Sequence, residues 1–450
     1  MPKPTNYPNQ NYTPKSDPSP VNNNENNQKS RGFFNSLGPA IIVASVVLGP
    51  GSIYLASAIG VEFGYSLLWV PLLSTALMVC MVMIAARLGA IYERTLCDEL
   101  AHRLGRPVAA FVGVIVFLII TSFQTSNNAA ILFALDPLIE MITNQPGEEV
   151  RGPLTSASIL LLLNGFIIAV LFGLRKLYSP VEKFMIILVM VMLIGFFINL
   201  VFASPSLLEI AYGFIPSIPQ ASSGGQALNW TLVVGFFATT VSIAGAFYQS
   251  YLVKEKGWGI QDVKKGMTDS LLGIGLLGLV SLIIMISAAA VLHGTVSSSE
   301  IGSAGDVALQ LEPFFGPAAV VLFSFGLFAG AFSSFLVNAM IGGTLLADGL
   351  GYGGRLDQNS TRIFTAITLL IAMSIALIFG GSAPAEVITF AQALTVLGLP
   401  VLALAMIYLV TRPDLTGPRA VPMWMKIVLV IGFIVVVLLA ARTANNLLFS

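Results

Sequence analysis

The chain has 450 residues, of which 56% are hydrophobic and 10% charged, and its acidic and basic residues cancel at neutral pH. Such a composition, with a mean hydropathy of +0.86, excludes a soluble globular domain and is typical of a protein that crosses the bilayer many times. The balanced charge gives no indication of a nucleic-acid partner, and two cysteines predict neither a disulfide framework nor a metal cluster.

The amino-terminal stretch differs from the rest of the chain. Its first 30 residues are rich in Asn and Pro and nearly free of aliphatic side chains, a composition that cannot bury enough apolar surface to fold. It also lacks the apolar core of a signal peptide. We expect residues 1–32 to form a disordered cytoplasmic tail and residues 33–450 to form one transmembrane domain.

Long apolar runs divide that domain into eleven predicted membrane spans, numbered here in chain order. They lie near residues 36–64, 66–88, 108–135, 155–174, 181–203, 229–252, 268–292, 315–347, 362–381, 386–411 and 424–446.

The distribution of Lys and Arg predicts the orientation of these spans. Of the 18 basic residues beyond the tail, 16 follow the even-numbered spans, and only Arg151 and Arg442 lie on the other side. We call the side with the 16 residues the basic side. Because Lys and Arg gather in cytoplasmic loops, the amino terminus is expected inside and the carboxyl terminus outside.

The first span contains the stretch Gly49-Pro50-Gly51-Ser52. Proline removes a backbone donor and clashes with the preceding turn, so a helix is expected to break there. A helix broken at membrane depth is a candidate substrate site. The alternative is a simple proline kink without a function.

A second interruption is predicted in the sixth span, at Ser242-Ile243-Ala244-Gly245-Ala246. Broken first and sixth helices are typical of two inverted five-helix repeats with the substrate bound between the breaks. We place the repeats at about 36–203 and 229–411, followed by an eleventh helix. The alternative is that Gly245 only allows close helix packing.

Several motifs identify a family resemblance. The stretch ASAIGVEFGYSLLWV (residues 56–70), the AARLG element (85–89) and QALTVLGLPV (392–401) resemble the Nramp (natural resistance-associated macrophage protein) metal transporters, and the similarity runs from Gly38 to about Gly417. The resemblance implies an all-α membrane protein of LeuT-type fold. It also implies proton-driven transport of divalent transition metals such as manganese and iron.

This chain departs from the family pattern where the family binds its metal. The Asp and Asn of the family's first break are Gly49 and Ser52 here. The family's sixth-span break contains Ala, Met and Pro-His, and these positions hold Thr239, Ser242, Ile243 and Ala244.

Three further positions concern the second metal shell and the proton route. The family's second sixth-span histidine corresponds to Gln249, and the acidic pair of its third helix corresponds to Ser122 and Thr125. Only the tenth-span glutamine is retained, as Gln392.

The candidate site is therefore neutral. The predicted substrate-binding residues are Gly49, Ser52, Thr239, Ser242, Gln249 and Gln392. The predicted cavity-lining residues are Ser45, Ser122, Gln124, Thr125, Asn128 and Asn338. Two alternatives stay open: hydroxyls that bond back to their own helix, and amides that bond across helices without any substrate.

A neutral site restricts the substrate. Stripping a bare divalent ion of its water without compensating charge costs tens of kcal/mol in the Born limit. We expect a divalent cation that keeps much of its water, as magnesium does. A carrier of a small neutral or zwitterionic solute, or a sensor or scaffold that does not transport, are the alternatives.

Other functions are not indicated. No acid–base pair suggests an enzyme, and no motif suggests a cofactor. All acidic residues fall in the tail, in loops or near the ends of predicted spans, so we expect no obligatory proton coupling through the third span. The resemblance implies a bacterial inner-membrane protein whose partners are the lipid bilayer and a small transported substrate.

The predicted topology can be tested by labelling. Single cysteines introduced near Glu149 and near Lys264 should react with an impermeant thiol reagent from opposite faces of a sealed membrane, since these positions follow an odd- and an even-numbered span. Labelling of both from one face would contradict the predicted spans.

Overall fold

The computed structural model describes residues 39–40, 43–44, 49–145, 147–173, 175–217, 230–296, 303–379 and 383–449. The predicted tail and Ser45 lie outside these residues. Throughout the described part the chain is helical and contains no β-strand, which confirms the all-α prediction.

In the first half, the residues described from Pro50 to Gly213 form seven helices. They are α1 (Pro50–Phe63), α2 (Trp69–Ile91), α3 (Leu96–Leu104), α4 (Arg106–Thr143), α5 (Gly147–Phe172), α6 (Arg175–Phe202) and α7 (Leu207–Gly213).

In the second half, the part of the chain described from Trp230 onward forms ten helices. They are α8 (Trp230–Thr240), α9 (Ile243–Glu255), α10 (Val263–Val291), α11 (Ala304–Ala308), α12 (Glu312–Phe315), α13 (Ala318–Leu350), α14 (Asn359–Phe379), α15 (Pro384–Thr395), α16 (Leu399–Val410) and α17 (Met423–Phe449).

The described helices correspond to the predicted spans. Nine are long and apolar enough to cross a bilayer in the described ranges, and they match spans two to four and six to eleven. The fifth span, Ile186–Phe202, bends by 119° into α7. Helix α1 is the described part of the first span. The chain is therefore an integral membrane protein.

The packing relates the two halves to each other. Helix α4 packs along α13 at the centre, so spans three and eight form one pair. Span three also packs against span ten, and span eight against span five. Likewise α1 contacts span seven, and α9 contacts span two. Each contact has a counterpart in the other half, which is the pattern that two structural repeats produce.

Contacts between loops confirm that successive spans alternate in direction. On the basic side, Thr95 after span two bonds to Asp348 at the end of span eight, and Arg103 bonds to Asp414 after span ten. On the opposite side, His293 after span seven lies against Gly64 after span one.

The third span is longer than predicted. Helix α4 continues through Pro137 to Thr143 and therefore contains Asp136, which the sequence places beyond the span. Asp136 is only 6% exposed. A prediction from apolar runs ends the span before the first charged residue. The helix continues past that residue because protein surrounds the Asp136 carboxylate.

The close contact between α1 and α10 leads to a prediction about the stability of the protein. A Cβ at Gly60 would lie 2.5 Å from the carbonyl oxygen of Met285, whereas a Cβ at Gly165 would meet nothing within 4 Å. Gly60→Ala should therefore destabilise the protein by about 1–3 kcal/mol. The matched control, Gly165→Ala, should be neutral or stabilise by up to about 1 kcal/mol. Thermal melting of the purified variants measures the difference, and equal melting temperatures would show that α1 and α10 are not so close.

Candidate functional site

The first span is interrupted immediately before α1. Gly49 has an extended backbone (φ −80°, ψ 172°), and Pro50 occupies the first turn, where its missing N–H is not needed. The Ser52 hydroxyl donates to the Gly49 carbonyl oxygen at 2.8 Å. Both Gly49 and Ser52 are buried, and Gly49, as the N-cap of α1, has no side chain with which to cap it.

The sixth span is interrupted between α8 and α9, but the gap is shorter than predicted. Only Val241 and Ser242 lie between the helices, and residues 243–246 already belong to α9. Ser242 is the N-cap of α9, because its hydroxyl accepts a hydrogen bond from the Gly245 N–H at 3.3 Å. The serine cap allows the helix to restart immediately, so four residues predicted to be irregular are helical.

The two breaks and the tenth span come together. A Cβ at Gly51 would lie 2.5 Å from Nε2 of Gln392, so the first turn of α1 packs directly on that amide. Gln392 in turn donates to the Ser126 hydroxyl of α4 at 2.9 Å. A Cβ at Gly245 would lie 3.3 Å from Val43, which brings the first span against the start of α9.

Four buried side chains on spans six, eight and ten carry polar atoms without a hydrogen-bond partner among the described residues. Both amide atoms of Gln249 are unpaired, as are Oδ1 of Asn338 and Oε1 of Gln392 and the hydroxyl of Thr240. All four side chains are at most 1% exposed. Buried atoms elsewhere in the described bundle, such as Oδ1 of Asn199 and Oε1 of Gln310, are unpaired as well. An unsatisfied buried group costs about 1–3 kcal/mol, so these four groups are candidates for a partner other than protein.

The predicted amide side chains of the third span, in contrast, do have hydrogen-bond partners in the protein. Gln124 donates to the Phe335 carbonyl at 2.7 Å and accepts from Asn127 at 2.6 Å. Asn128 donates to the Gln124 carbonyl at 2.7 Å and accepts from Asn164 at 2.8 Å. These bonds join span three to spans four and eight and leave Gln124 and Asn128 engaged with protein.

The remaining predicted site residues differ in their surroundings. Thr125 donates to the carbonyl of Thr121 at 2.9 Å, the back-bonding arrangement. Ser122 is partly exposed, and Thr239 is buried in the last turn of α8. Ser45, as noted, is outside the described residues.

Two further polar residues lie at the site and are not among the predicted residues. Ser126 is the third-span hydroxyl that reaches Gln392. Thr240, next to the predicted Thr239, has a hydroxyl without a partner among the described residues. Helical spacing narrows such choices to a face, but the exact rotation of α4 and α8 depends on packing.

No charged metal-ligand set accompanies these groups. Within the described ranges, no three His, Cys, Asp or Glu side chains are close enough to hold one metal ion. Cys80 and Cys97 are both buried and free. Phe247, Tyr248 and Phe123 belong to the buried apolar core around spans two, six and ten. The site is thus formed from amides, hydroxyls and helix ends.

A buried carboxylate closes the basic side of the bundle. Asp348, 3% exposed, accepts hydrogen bonds at 2.6 Å from the hydroxyls of Thr95 and Tyr251. Arg106 bonds to its main-chain carbonyl at 3.0 Å. These contacts tie the ends of spans six and eight to the segment between spans two and three.

The family can be assigned from the whole chain. A family described as natural resistance-associated macrophage protein-like matches residues 40–444. The chain belongs to the Nramp family. Nramp proteins are transporters, so this chain is a membrane transporter rather than an enzyme.

Individual relatives agree with the assignment. The "Divalent metal cation transporter MntH" of Deinococcus radiodurans is 26% identical over 90% of this chain and 87% of that protein. The protein of the same name in Staphylococcus haemolyticus is 24% identical over 91% of each chain.

Solved structures show the fold. A mutant of the Eremococcus coleocola manganese transporter matches with a TM-score of 0.72 at 19% identity, over 92% of this chain and 87% of that one. The structure of MhsT in complex with L-phenylalanine matches with a TM-score of 0.57 at 18% identity, over 90% and 98%. The predicted LeuT-type fold, with its two inverted repeats, is thereby confirmed.

The difference between the two kinds of buried amide predicts opposite effects of one substitution. Gln124→Leu removes the partners of Phe335 and Asn127 and should destabilise the Nramp protein by about 1–3 kcal/mol. Gln249→Leu removes an amide that has no partner among the described residues, so the stability of this variant should be unchanged or higher. Thermal melting tests both; a large loss in the Gln249 variant would mean that protein atoms satisfy this amide.

Proposed function

We propose that this protein transports a divalent metal cation, and that the ion crosses the broken helices with most of its water shell, as magnesium does. The single observation that supports this most is the set of unpaired, buried oxygen atoms on Gln249, Asn338, Gln392 and Thr240. The divalent cation transporters among its relatives support the class of substrate.

The chemistry of the unpaired atoms suits a hydrated cation. The waters around a cation point their protons outward, so the protein must offer acceptors. Three of the four groups are amide side chains with free carbonyl oxygens, and the fourth is a hydroxyl that also accepts. Oxygen donors of this kind are hard ligands, which favour magnesium over soft ions.

The energies favour a hydrated ion over a bare one. Removing the water of an unpaired ion costs tens of kcal/mol. A hydrogen bond to a charged group contributes about 1.5–3 kcal/mol, so a few neutral oxygens cannot replace a complete shell. They can, however, hold the outer surface of that shell and select ions that retain it.

Alternating access would proceed by opening the basic side of the helix bundle and the opposite side in turn. On the basic side, the bonds of Asp348 to Thr95 and Tyr251 join elements of both halves. We infer that these bonds break when this side opens, since span six moves relative to span eight there. The basic side is proposed to be cytoplasmic, in a bacterial inner membrane, with the amino terminus inside and the carboxyl terminus outside.

Uptake into proteoliposomes tests the proposal. The panel should contain Mg²⁺, Mn²⁺, Cd²⁺ and amino acids, with protein-free liposomes as the blank. We expect Mg²⁺ uptake with weak competition by Cd²⁺, because no thioether or carboxylate lies at the breaks. Gln249→Leu should reduce the Mg²⁺ uptake at least tenfold. Uptake of amino acids without metals, or tight binding of Cd²⁺ by calorimetry, would contradict the proposal.

A gain-of-binding variant examines the same site. Gly49→Asp combined with Ser242→Met introduces one carboxylate and one thioether at the two breaks, which adjoin the packed helices α1 and α8. Binding of Mn²⁺ and Cd²⁺ should increase in the double variant and less in either single variant. Equal binding in all of them would mean that the two breaks do not share a substrate.

A further inference from the structure

A small amphipathic groove lies on the bundle surface between α8, α15 and α17. It encloses about 170 Å³. Its lining combines polar and apolar side chains. The polar ones are Thr231, Arg442, Thr443 and Asn446, and the apolar ones include Val234, Phe390, Leu394 and Leu447.

Arg442 is the charged group of this groove. Its guanidinium lies over the ring of Trp230, 4.5 Å from the ring centroid. None of the carboxylates in the described part of the chain pairs with it. The ring orients the guanidinium, and its positive charge is without a carboxylate partner among the described residues.

The depth of Arg442 follows from the length of α17. This helix begins at Met423, and 19 residues at 1.5 Å each place Arg442 about 28 Å further along the axis. The hydrocarbon layer is about 30 Å thick. One membrane surface lies at the level of Met423, Trp424 and Lys426. Arg442 therefore reaches the headgroups of the opposite membrane surface. Trp230 beside it is typical of such an interface.

We propose that the groove binds an anionic glycerophospholipid. The phosphate accepts hydrogen bonds from the Arg442 guanidinium, which matches phosphate geometry with two parallel N–H donors. An acyl chain lies along Phe390 and Leu394, two of the apolar side chains that line the groove. Phe390 is 49% exposed on the protein surface and is free to contact a lipid chain.

The location connects this lipid to the transport site. Val234 lies on α8, which ends at the break beside Ser242, and Leu394 is two residues from Gln392 on α15. Ala393, between them, also lines the groove. A lipid held here braces α8 against α15, and its loss should loosen the contact between the sixth and tenth spans.

Native mass spectrometry of the full chain, released from nanodiscs with equal phosphatidylglycerol and phosphatidylcholine, tests the proposal. The wild type should retain phosphatidylglycerol about fivefold over phosphatidylcholine, the preference that one well-placed arginine provides near a membrane surface. Arg442→Gln should abolish the preference, and Arg442→Lys should keep part of it. Lys426→Gln removes one positive charge at the other end of α17 and should change nothing.

Other outcomes overturn the proposal. Equal retention of both lipids by the wild type, or an equal loss in the Lys426 and Arg442 variants, would show that general charge rather than the groove selects lipid. Displacement of phosphatidylglycerol by millimolar glycerol 3-phosphate would show that the site takes a free phosphate ester. If Arg442→Gln does not fold, the comparison of Arg442→Lys with the wild type decides, since a guanidinium-specific site must lose affinity in the lysine variant.

Discussion

A polar group at the depth of the bilayer core must find a partner inside the protein, because no lipid can supply one. That constraint determines where this chain can be irregular. At the second break, the Ser242 hydroxyl accepts a hydrogen bond from the Gly245 N–H and so satisfies one donor that the broken helix exposes. The third span carries several amides at the same depth, and its Gln124 and Asn128 are fully engaged with neighbouring spans. The buried amide of Gln249 differs from these two, because neither of its atoms has a hydrogen-bond partner among the described residues.

The same constraint explains how an Nramp protein can lose its charged ligands and still be organised as a cation carrier. A carboxylate would supply the charge that replaces an ion's water; a neutral site can only contact the water. Such a site binds weakly and selects ions by how firmly they hold their shell. The scaffold is kept without charged ligands, because helices also pack through residues outside the site, such as Gly60 of α1 against Met285 of α10. Fold and substrate can therefore diverge separately.

Much of the fold could be predicted from the sequence because apolar length and basic loops report directly on the membrane. The break at Gly49 was predictable from proline chemistry. The break at Val241–Ser242 was placed too late, because a serine cap restarts a helix without any visible gap in composition. The end of the third span was missed because Asp136 is buried by tertiary contacts. Within the site, the sequence could not distinguish an amide that bonds to protein from one that does not. That difference depends on atoms from distant spans, as the bond between Gln392 and Ser126 shows.

The central claim is that the transport site works without an ionisable group. The most direct test records internal pH and internal Mg²⁺ together while Mg²⁺ enters proteoliposomes through the wild-type protein. Serine, threonine and glutamine side chains do not titrate near neutral pH, so they cannot load and release a proton. We predict a rise in internal Mg²⁺ without substrate-dependent acidification, at an outer pH of either 6 or 8. Acidification in fixed proportion to the Mg²⁺ that enters would contradict the account.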